Sequence, residues 1–180
     1  MHGAFYNCAQ LTEVVIPETT VSIGNVAFYG CNSLQSINLF EGLASIGSRA
    51  FDNCWGLTSL VIPNSVTKIG DYAFYYCKGL KDITLSTAIT EIADQTFYGC
   101  SSLESVTVPA SVKKIGYVAF GNCENLTSIV LENTVGWYRY ASATATSGTS
   151  FSAMLLSNPT TVAGYLTNTY SNYHWKRLGN

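Results

Sequence analysis

The stretch KIGDYAFYYC, Lys68 to Cys77, decides the fold because it is not alone. SIGNVAFYGC (22–31), SIGSRAFDNC (45–54), EIADQTFYGC (91–100) and KIGYVAFGNC (114–123) stand in the same chain, and each ends in cysteine. A reactive thiol, a disulfide, a metal ligand or a wall of the core could each call for a Phe and a Cys three residues apart. The period narrows the choice. Cys8, Cys31, Cys54, Cys77, Cys100 and Cys123 are spaced by 23 residues throughout. Phe5, Phe28, Phe51, Phe74, Phe97 and Phe120 keep the same step, and so do Leu11, Leu34, Leu57, Leu80, Leu103 and Leu126. Repetition at a fixed period of this length marks stacked supersecondary units.

Each unit reads A-F-x-x-C-x-x-L-x-x-I-x-I/L-P-x-x-V-x-x-I-G, with local departures. Within it, Leu34-Gln35-Ser36-Ile37-Asn38-Leu39 alternates polar and apolar residues, which predicts a strand with one buried face. Pro17, Pro63 and Pro109 close that strand, where a ladder N–H is no longer wanted. A second apolar pair, such as Val66 and Ile69, predicts another short extended piece. Gly24, Gly47, Gly70 and Gly116 then turn the chain, with Ala93 the exception. The A-F-x-x-C segment is too short for a full helix and is read as a single helical turn. A unit this small cannot bury its own apolar face, but stacked units can, which predicts a solenoid with strands about 4.8 Å apart.

The repeat resembles the BspA-like class of leucine-rich-repeat proteins over about residues 4 to 138, carried by AFxxCxxLxxIxIP followed in phase by VxxIG. The resemblance implies a leucine-rich-repeat solenoid. Its parallel β-sheet would cover one face, with short strands and single helical turns on the other. It also implies secretion or attachment to a bacterial surface, and adhesion to host proteins or other cells.

Composition limits the rest. The chain has 180 residues, 47% hydrophobic and 11% charged, with a formal net charge of -2. No basic field is expected to attract nucleic acid or anionic lipid, and no apolar run is long enough to insert in a membrane. No signal peptide opens the chain; Met1-His2-Gly3 runs directly into mid-repeat, so a fragment of a longer protein is expected. The only histidines, His2 and His174, lie outside the repeats. No base is therefore at hand for six thiols, and a column at spacing 23 is not a zinc tetrahedron. Stacked Cβ atoms would sit farther apart than a disulfide wants. The cysteines are expected to be reduced and buried, acting as small hydrophobes beside a Phe column. With no triad, paired-carboxylate site, phosphate loop or metal cluster visible, no enzyme and no cofactor are expected.

If repeated positions build the scaffold, binding falls to those that vary. The first candidate is the outward strand face: Ser36, Asn38, Ser59, Val61, Asp82, Thr84, Ser105 and Thr107, flanked by Glu13, Val15, Ser128 and Val130. It is neutral and rich in hydroxyls, and reads equally as plain solvated sheet surface. The second is an aromatic column, Tyr6, Tyr29, Tyr75 and Tyr98, interrupted by Asp52 and ended by Gly121, with Trp55, Tyr72, Tyr76 and Tyr117 near it. Exposed aromatics suit protein or sugar partners, though tyrosine rings also pack over neighbouring turns with their hydroxyls in water. Lys68, Glu91 and Lys114 alternate in one column and Lys81 precedes Glu104 in another, as register-favouring pairs. Asp71 and Asp94 are stacked like charges without a third ligand for a cation. The expected partner is an extracellular protein or glycan.

The phase ends near residue 138, which places the solenoid at 1–138 and a capping segment at 139–180. Val135 and Tyr138 are read in the slots of Val112 and Ile115, whereas Ser142 and Ala143 replace the repeat's Ala-Phe. Asn158-Pro159 predicts a helix start near 159–169, with Val162, Ala163, Leu166 and Tyr170 on its apolar face. Tyr173, Trp175 and Leu178 alternate in a last extended piece. Trp137, Tyr138, Phe151, Leu155, Leu156 and Trp175 supply bulk to cover the final rung. Nothing similar precedes Phe5, so the first rung is expected to be open and available for association between copies.

Overall fold

The computed structural model describes residues 3–142, 145, 148–169 and 171–178. Ala143 and Tyr170, assigned above to the end of the repeat and to the helix face, lie outside the described residues. The repeats supply β1 (Glu13–Val14), β2 (Ser22–Ile23), β3 (Ser36–Ile37), β4 (Ser45–Ile46), β5 (Ser59–Val61) and β6 (Lys68–Ile69). They continue through β7 (Asp82–Thr84), β8 (Glu91–Ile92), β9 (Ser105–Val108), β10 (Lys114–Ile115) and β11 (Ser128–Leu131). After them come β12 (Trp137–Tyr140), β13 (Thr149–Ser150), α1 (Ala153–Leu156), α2 (Pro159–Gly164) and β14 (His174–Arg177).

The repeat strands form two parallel columns, and like residues lie over like. Ser59 pairs with Asp82 and Leu60 with Ile83; Ser45 pairs with Lys68 and Ile46 with Ile69. The 23-residue register is therefore kept, and the chain is a parallel β-solenoid. The core is the expected file. Phe51, Phe74, Phe97, Phe120, Cys54, Cys77, Cys100, Leu57, Leu80 and Leu103 are fully buried. Neighbouring Phe rings from Phe5 to Phe120 stack nearly parallel at 5.1–5.4 Å between centroids.

The arc between the columns differs from the expected single helical turn. It is a pair of tight turns closed by i→i+3 bonds, as in Ala27 N–H to Gly24 O and Cys31 N–H to Phe28 O. Two left-handed residues per repeat bend it. Val26, Arg49, Tyr72, Gln95 and Val118 form one such column (φ 42–59°), and Asn7, Gly30, Asn53, Tyr76, Gly99 and Asn122 the other. For a non-glycine residue each costs roughly 1–2 kcal/mol. A third hydrogen-bonded ladder offsets that strain: Val26, Phe28 and Gly30 donate to Ser48, Ala50 and Asp52 of the next rung at 2.7–2.9 Å. The strand side donates the opposite way, as from Gln35 N–H to Thr12 O and from Ala44 N–H to Val21 O.

The C-terminal end departs from the sequence reading. Tyr138 does not take the slot over Ile115. Strand β14 enters antiparallel between β10 and β12, pairing Ile115 with Trp175 and Tyr138 with Lys176. The edge left by rung five is thus closed by residues far along the chain, with Arg177 N–H on Lys113 O at 2.7 Å and Val118 N–H on Ser171 O at 2.8 Å. Trp175 and Trp137 are buried, and Trp175 stacks on Phe151 at 4.5 Å. Asn158 caps α2 by accepting from Thr161 N–H, Pro159 opens the helix, and a π-helical turn (Tyr165–Thr169) follows. Val162, Ala163 and Leu166 are buried against the last rung, whereas Leu155 is exposed. At the other end, Phe5, Val14 and Ile16 are only partly buried and border an apolar cavity of about 490 Å³.

Candidate functional site

The cysteines are built for structure. Each thiol from Cys31 onward donates to the carbonyl oxygen of the Phe in the preceding rung: Cys31 to Phe5, Cys54 to Phe28, Cys77 to Phe51, Cys100 to Phe74 and Cys123 to Phe97, at 3.0–3.2 Å. All six are free of disulfides, and only Cys8 is exposed. Burial is the main force pushing the Cys31 thiol up to about 11 and the Cys123 thiol up to about 12, and it drives Cys54, Cys77 and Cys100 further in the same direction. A thiol held protonated is no nucleophile.

The polar columns beside the arc are equally occupied. Asp71 Oδ1 accepts from Asp94 N–H at 3.2 Å, and Asp94 Oδ1 accepts from Tyr117 N–H at 2.9 Å. These carboxylates tie one rung to the next. Among the described residues no group of three or more His, Cys, Asp or Glu is placed to hold a metal ion. Lys114 and Glu91 form an ion pair at 3.3 Å. No ion pair joins Lys81 to Glu104 among the described residues.

Every member of the first candidate set lies exposed on one face, in two columns: Ser36, Ser59, Asp82 and Ser105, and Asn38, Val61, Thr84 and Thr107. Glu13 and Val15 continue it at one end and Val130 at the other, with Ser128 half-buried. Four members converge. Asp82, Thr84, Ser105 and Thr107 border a depression of about 340 Å³ together with Thr87 and Glu132. It lies where the strand ladder steps from the β5–β7 pair to the β9–β11 pair. Glu132 is held there by accepting from Ala110 N–H at 2.9 Å. Ser36, Asn38, Ser59 and Val61 stand on the same face outside that depression.

The aromatic column is split in two. Tyr6 stacks on Tyr29 at 4.9 Å, and Tyr75 on Tyr98 at 5.2 Å. Between them Asp52 is fully buried, bonded to Arg49 at 2.6 Å and to Asn53 Nδ2 at 2.7 Å. Burial raises the Asp52 carboxyl, against the pull of Arg49 and Asn53. The Arg49 guanidinium also lies 4.1 Å from the Tyr72 ring centre. Tyr6 is exposed, but Tyr29, Tyr75 and Tyr98 are half-buried. Tyr98 Oη accepts from Asn122, and Tyr72 Oη from Gln95. Burial raises the Tyr75 and Tyr98 phenols. Much of this column is therefore packing between rungs. Its most accessible aromatic neighbour is Trp55, exposed by 45%, with Lys78 lying 5.2 Å over its ring.

The comparisons with known proteins agree with this geometry. A family model described as the BspA type leucine rich repeat region matches residues 1–127 in six copies. The chain belongs to that family. A search of curated proteins finds no match. Among solved structures, the leucine-rich-repeat protein TpLRR of T. pallidum is 27% identical over 70% of this chain and 70% of its own, with a TM-score of 0.59. The pneumococcal vaccine antigen PcpA is 30% identical with a TM-score of 0.62, over 71% of this chain but 32% of its own. A leucine-rich-repeat protein of Bacteroides ovatus is 25% identical with a TM-score of 0.57, over 74% of this chain and 52% of its own. No helix among the described residues is long and apolar enough to cross a membrane.

Proposed function

We propose that this BspA-type chain is a non-catalytic, adhesin-like binding module of a bacterial surface or secreted protein, taking an extracellular protein or glycan. The observation that carries it is the strand face. Eight side chains repeat there on a rigid ladder, nearly all neutral and short, and four of them, Asp82, Thr84, Ser105 and Thr107, border a depression. A flat, preorganised surface of this kind loses little side-chain freedom on association, and solenoids commonly bind through their extended faces. The pneumococcal vaccine antigen among the similar structures supports an exposed location. The test is binding to an immobilised panel of extracellular glycoproteins and their enzymatically deglycosylated forms. Thr84→Lys with Thr107→Lys is expected to weaken retention at least about tenfold by crowding and charging the face. Changing Tyr29, Tyr75 and Tyr98 together to Ser asks the same of the aromatic column. Retention unchanged in both variants would overturn binding through either face.

A second reading, an assembly or spacer element, is favoured by the partly buried Phe5, Val14 and Ile16 beside the apolar cavity at the first rung. An end of this kind suits contact with another rung, either of this protein or of a second copy.

A further inference from the structure

Where Asp52 breaks the tyrosine column, the first three arcs border an open groove of about 410 Å³ lined by Asn7, Ala9, Tyr29, Gly30, Asn32, Asn53 and Trp55. Its floor is kept bare. Gly30 stands between Asn7 and Asn53 in the left-handed column at φ +71°, and a Cβ there would come 2.3 Å from Asn7 Oδ1. Its main wall is Trp55, whose indole N–H donates to Asn53 Oδ1 at 3.0 Å. Asn53 is itself held by the buried Asp52, and Lys78 of the next rung lies over the indole. The ring is thus fixed before any ligand arrives, which removes an ordering cost from binding. Asn32 is held as well: with Nδ2 turned toward the Asn53 carbonyl oxygen at 2.6 Å, its side-chain oxygen is directed away from that bond.

The chemistry of the lining selects a ligand class. None of the seven residues is charged, and the Ala9 methyl is the one aliphatic side chain among them. Two aromatic rings offer flat apolar faces, the Asn7 carboxamide carries a donor and an acceptor side by side, and Asn32, its nitrogen turned to backbone carbonyls, presents an acceptor oxygen. A basic ligand would find no counter-charge in the lining, an acidic one would find only Lys78 over the Trp55 ring and outside the lining, and a protein side chain seeking an aliphatic pocket would find only the Ala9 methyl. A neutral pyranose offers C–H faces for the rings and paired hydroxyls for the amides. Continuation toward Tyr6, stacked on Tyr29, extends the platform along the solenoid axis.

We propose that this groove is a subsite for neutral pyranose units of an extracellular glycan, with Trp55 and Tyr29 as stacking platforms and Asn7 and Asn32 as hydroxyl partners. This deepens the binding-module reading and rests on it.

Trp55 supplies its own readout, because Trp137 and Trp175 are only 1% and 0% exposed. The experiment titrates chitohexaose, cellohexaose and xylohexaose, each to millimolar concentration. It follows tryptophan emission and saturation transfer from protein to sugar protons. At least one oligosaccharide is expected to shift the emission and to receive saturation on its ring protons. Trp55→Ala is expected to weaken that binding about tenfold or more, and Asn32→Ala to weaken it while leaving the emission of the free protein unchanged. Tyr98→Ser, outside the groove, is expected to leave it intact. Circular dichroism of the exposed-site variants checks that the solenoid remains folded. Silence from all three oligosaccharides, or saturation transfer undiminished in Trp55→Ala, overturns the proposal. If the oligosaccharides are silent while deglycosylated proteins of the panel still bind, the glycan subsite fails and the binding module stands. If neither binds, both fail.

Discussion

At the scale of single residues, cysteine shows how a repeated side chain can be chemically quiet. Its sulfur is small enough to sit beside the Phe stack, and its weak donor satisfies a carbonyl that already accepts a backbone N–H. Phe28 O, for example, receives both Cys31 N–H and Cys54 Sγ–H. Alanine would fit but would leave a gap and an unfilled acceptor position. Cys77→Ala is expected to destabilise the fold by about 1–3 kcal/mol, measured by denaturant titration. In the native protein a thiol-reactive disulfide reagent should label Cys8 alone at neutral pH, with the other five labelled only on unfolding; mass spectrometry counts the adducts. Rapid labelling of Cys54 or Cys77 in the folded state would contradict this reading. The burial of Cys31, Cys54, Cys77, Cys100 and Cys123 was legible from the period, whereas Cys8, expected to be buried with them, is exposed. The thiol-to-carbonyl bond was not, because spacing tells which residues stack but not which backbone atom each side chain meets. The Arg49–Asp52 pair was likewise hidden. Asp52 reads as a gap in an aromatic file until the arc geometry brings Arg49 onto it.

Among the elements, the arcs and the last strand carry the lesson. Sequence patterning marks strands by alternation, but a pair of tight turns with left-handed residues such as Val26 and Val118 runs against local preference. Only bonding to the next rung makes that conformation favourable, so no local signal announces it. Strand β14 was legible as an extended piece, but its place was not. Tyr138 continues the repeat's phase, yet Trp175 pairs with Ile115. Bulk goes with that placement: with β14 between β10 and β12, Trp175 and Trp137 are both buried.

His174 makes this docking dependent on pH. It is buried on β14, with Nδ1 3.6 Å from Asp94 Oδ1, beside Tyr117 and near Lys114 and Lys176. Burial lowers its affinity for a proton, against the pull of Asp94 and with help from the two lysines. The unfolded chain, with the ordinary value of 6.5, therefore binds that proton more readily. The stabilising contribution is complete above that value and is lost as pH falls through the lowered folded value. Hydrogen exchange of the β14 amides is expected to speed up relative to the β6 amides between pH about 7 and about 5, after correction for intrinsic rates. His174→Gln should flatten that difference. An unchanged ratio in the native protein would refute it.

For the whole molecule, period and phase made the architecture readable, because stacking is dictated by which residues recur and not by fine geometry. The strand face was readable for the same reason: alternation places Ser36 through Thr107 outward. The groove beside Trp55 was not, since it depends on one missing side chain at Gly30 and one missing ring at Asp52. The two ends differ in the same physical terms. The C-terminal end is sealed by β14 and α2, while the first rung leaves Phe5, Val14 and Ile16 half covered. For the 180-residue chain by itself, self-association through that rung is expected to appear in sedimentation velocity as a concentration-dependent rise in mass, abolished by Val14→Lys with Ile16→Lys. Equal masses for native and variant chains at all concentrations would remove the assembly reading.

The placement of β14 also sets an order of events during synthesis. Rungs can stack as they leave the ribosome, each resting on the one made before it. The seal over rung five must wait until residues 174–177 have emerged, because β12, made earlier, is held one strand away by a segment made later. For that interval the nascent chain carries an unfinished edge, and the time between the emergence of β10 and that of β14 is the window in which a chaperone or a second nascent chain can claim it.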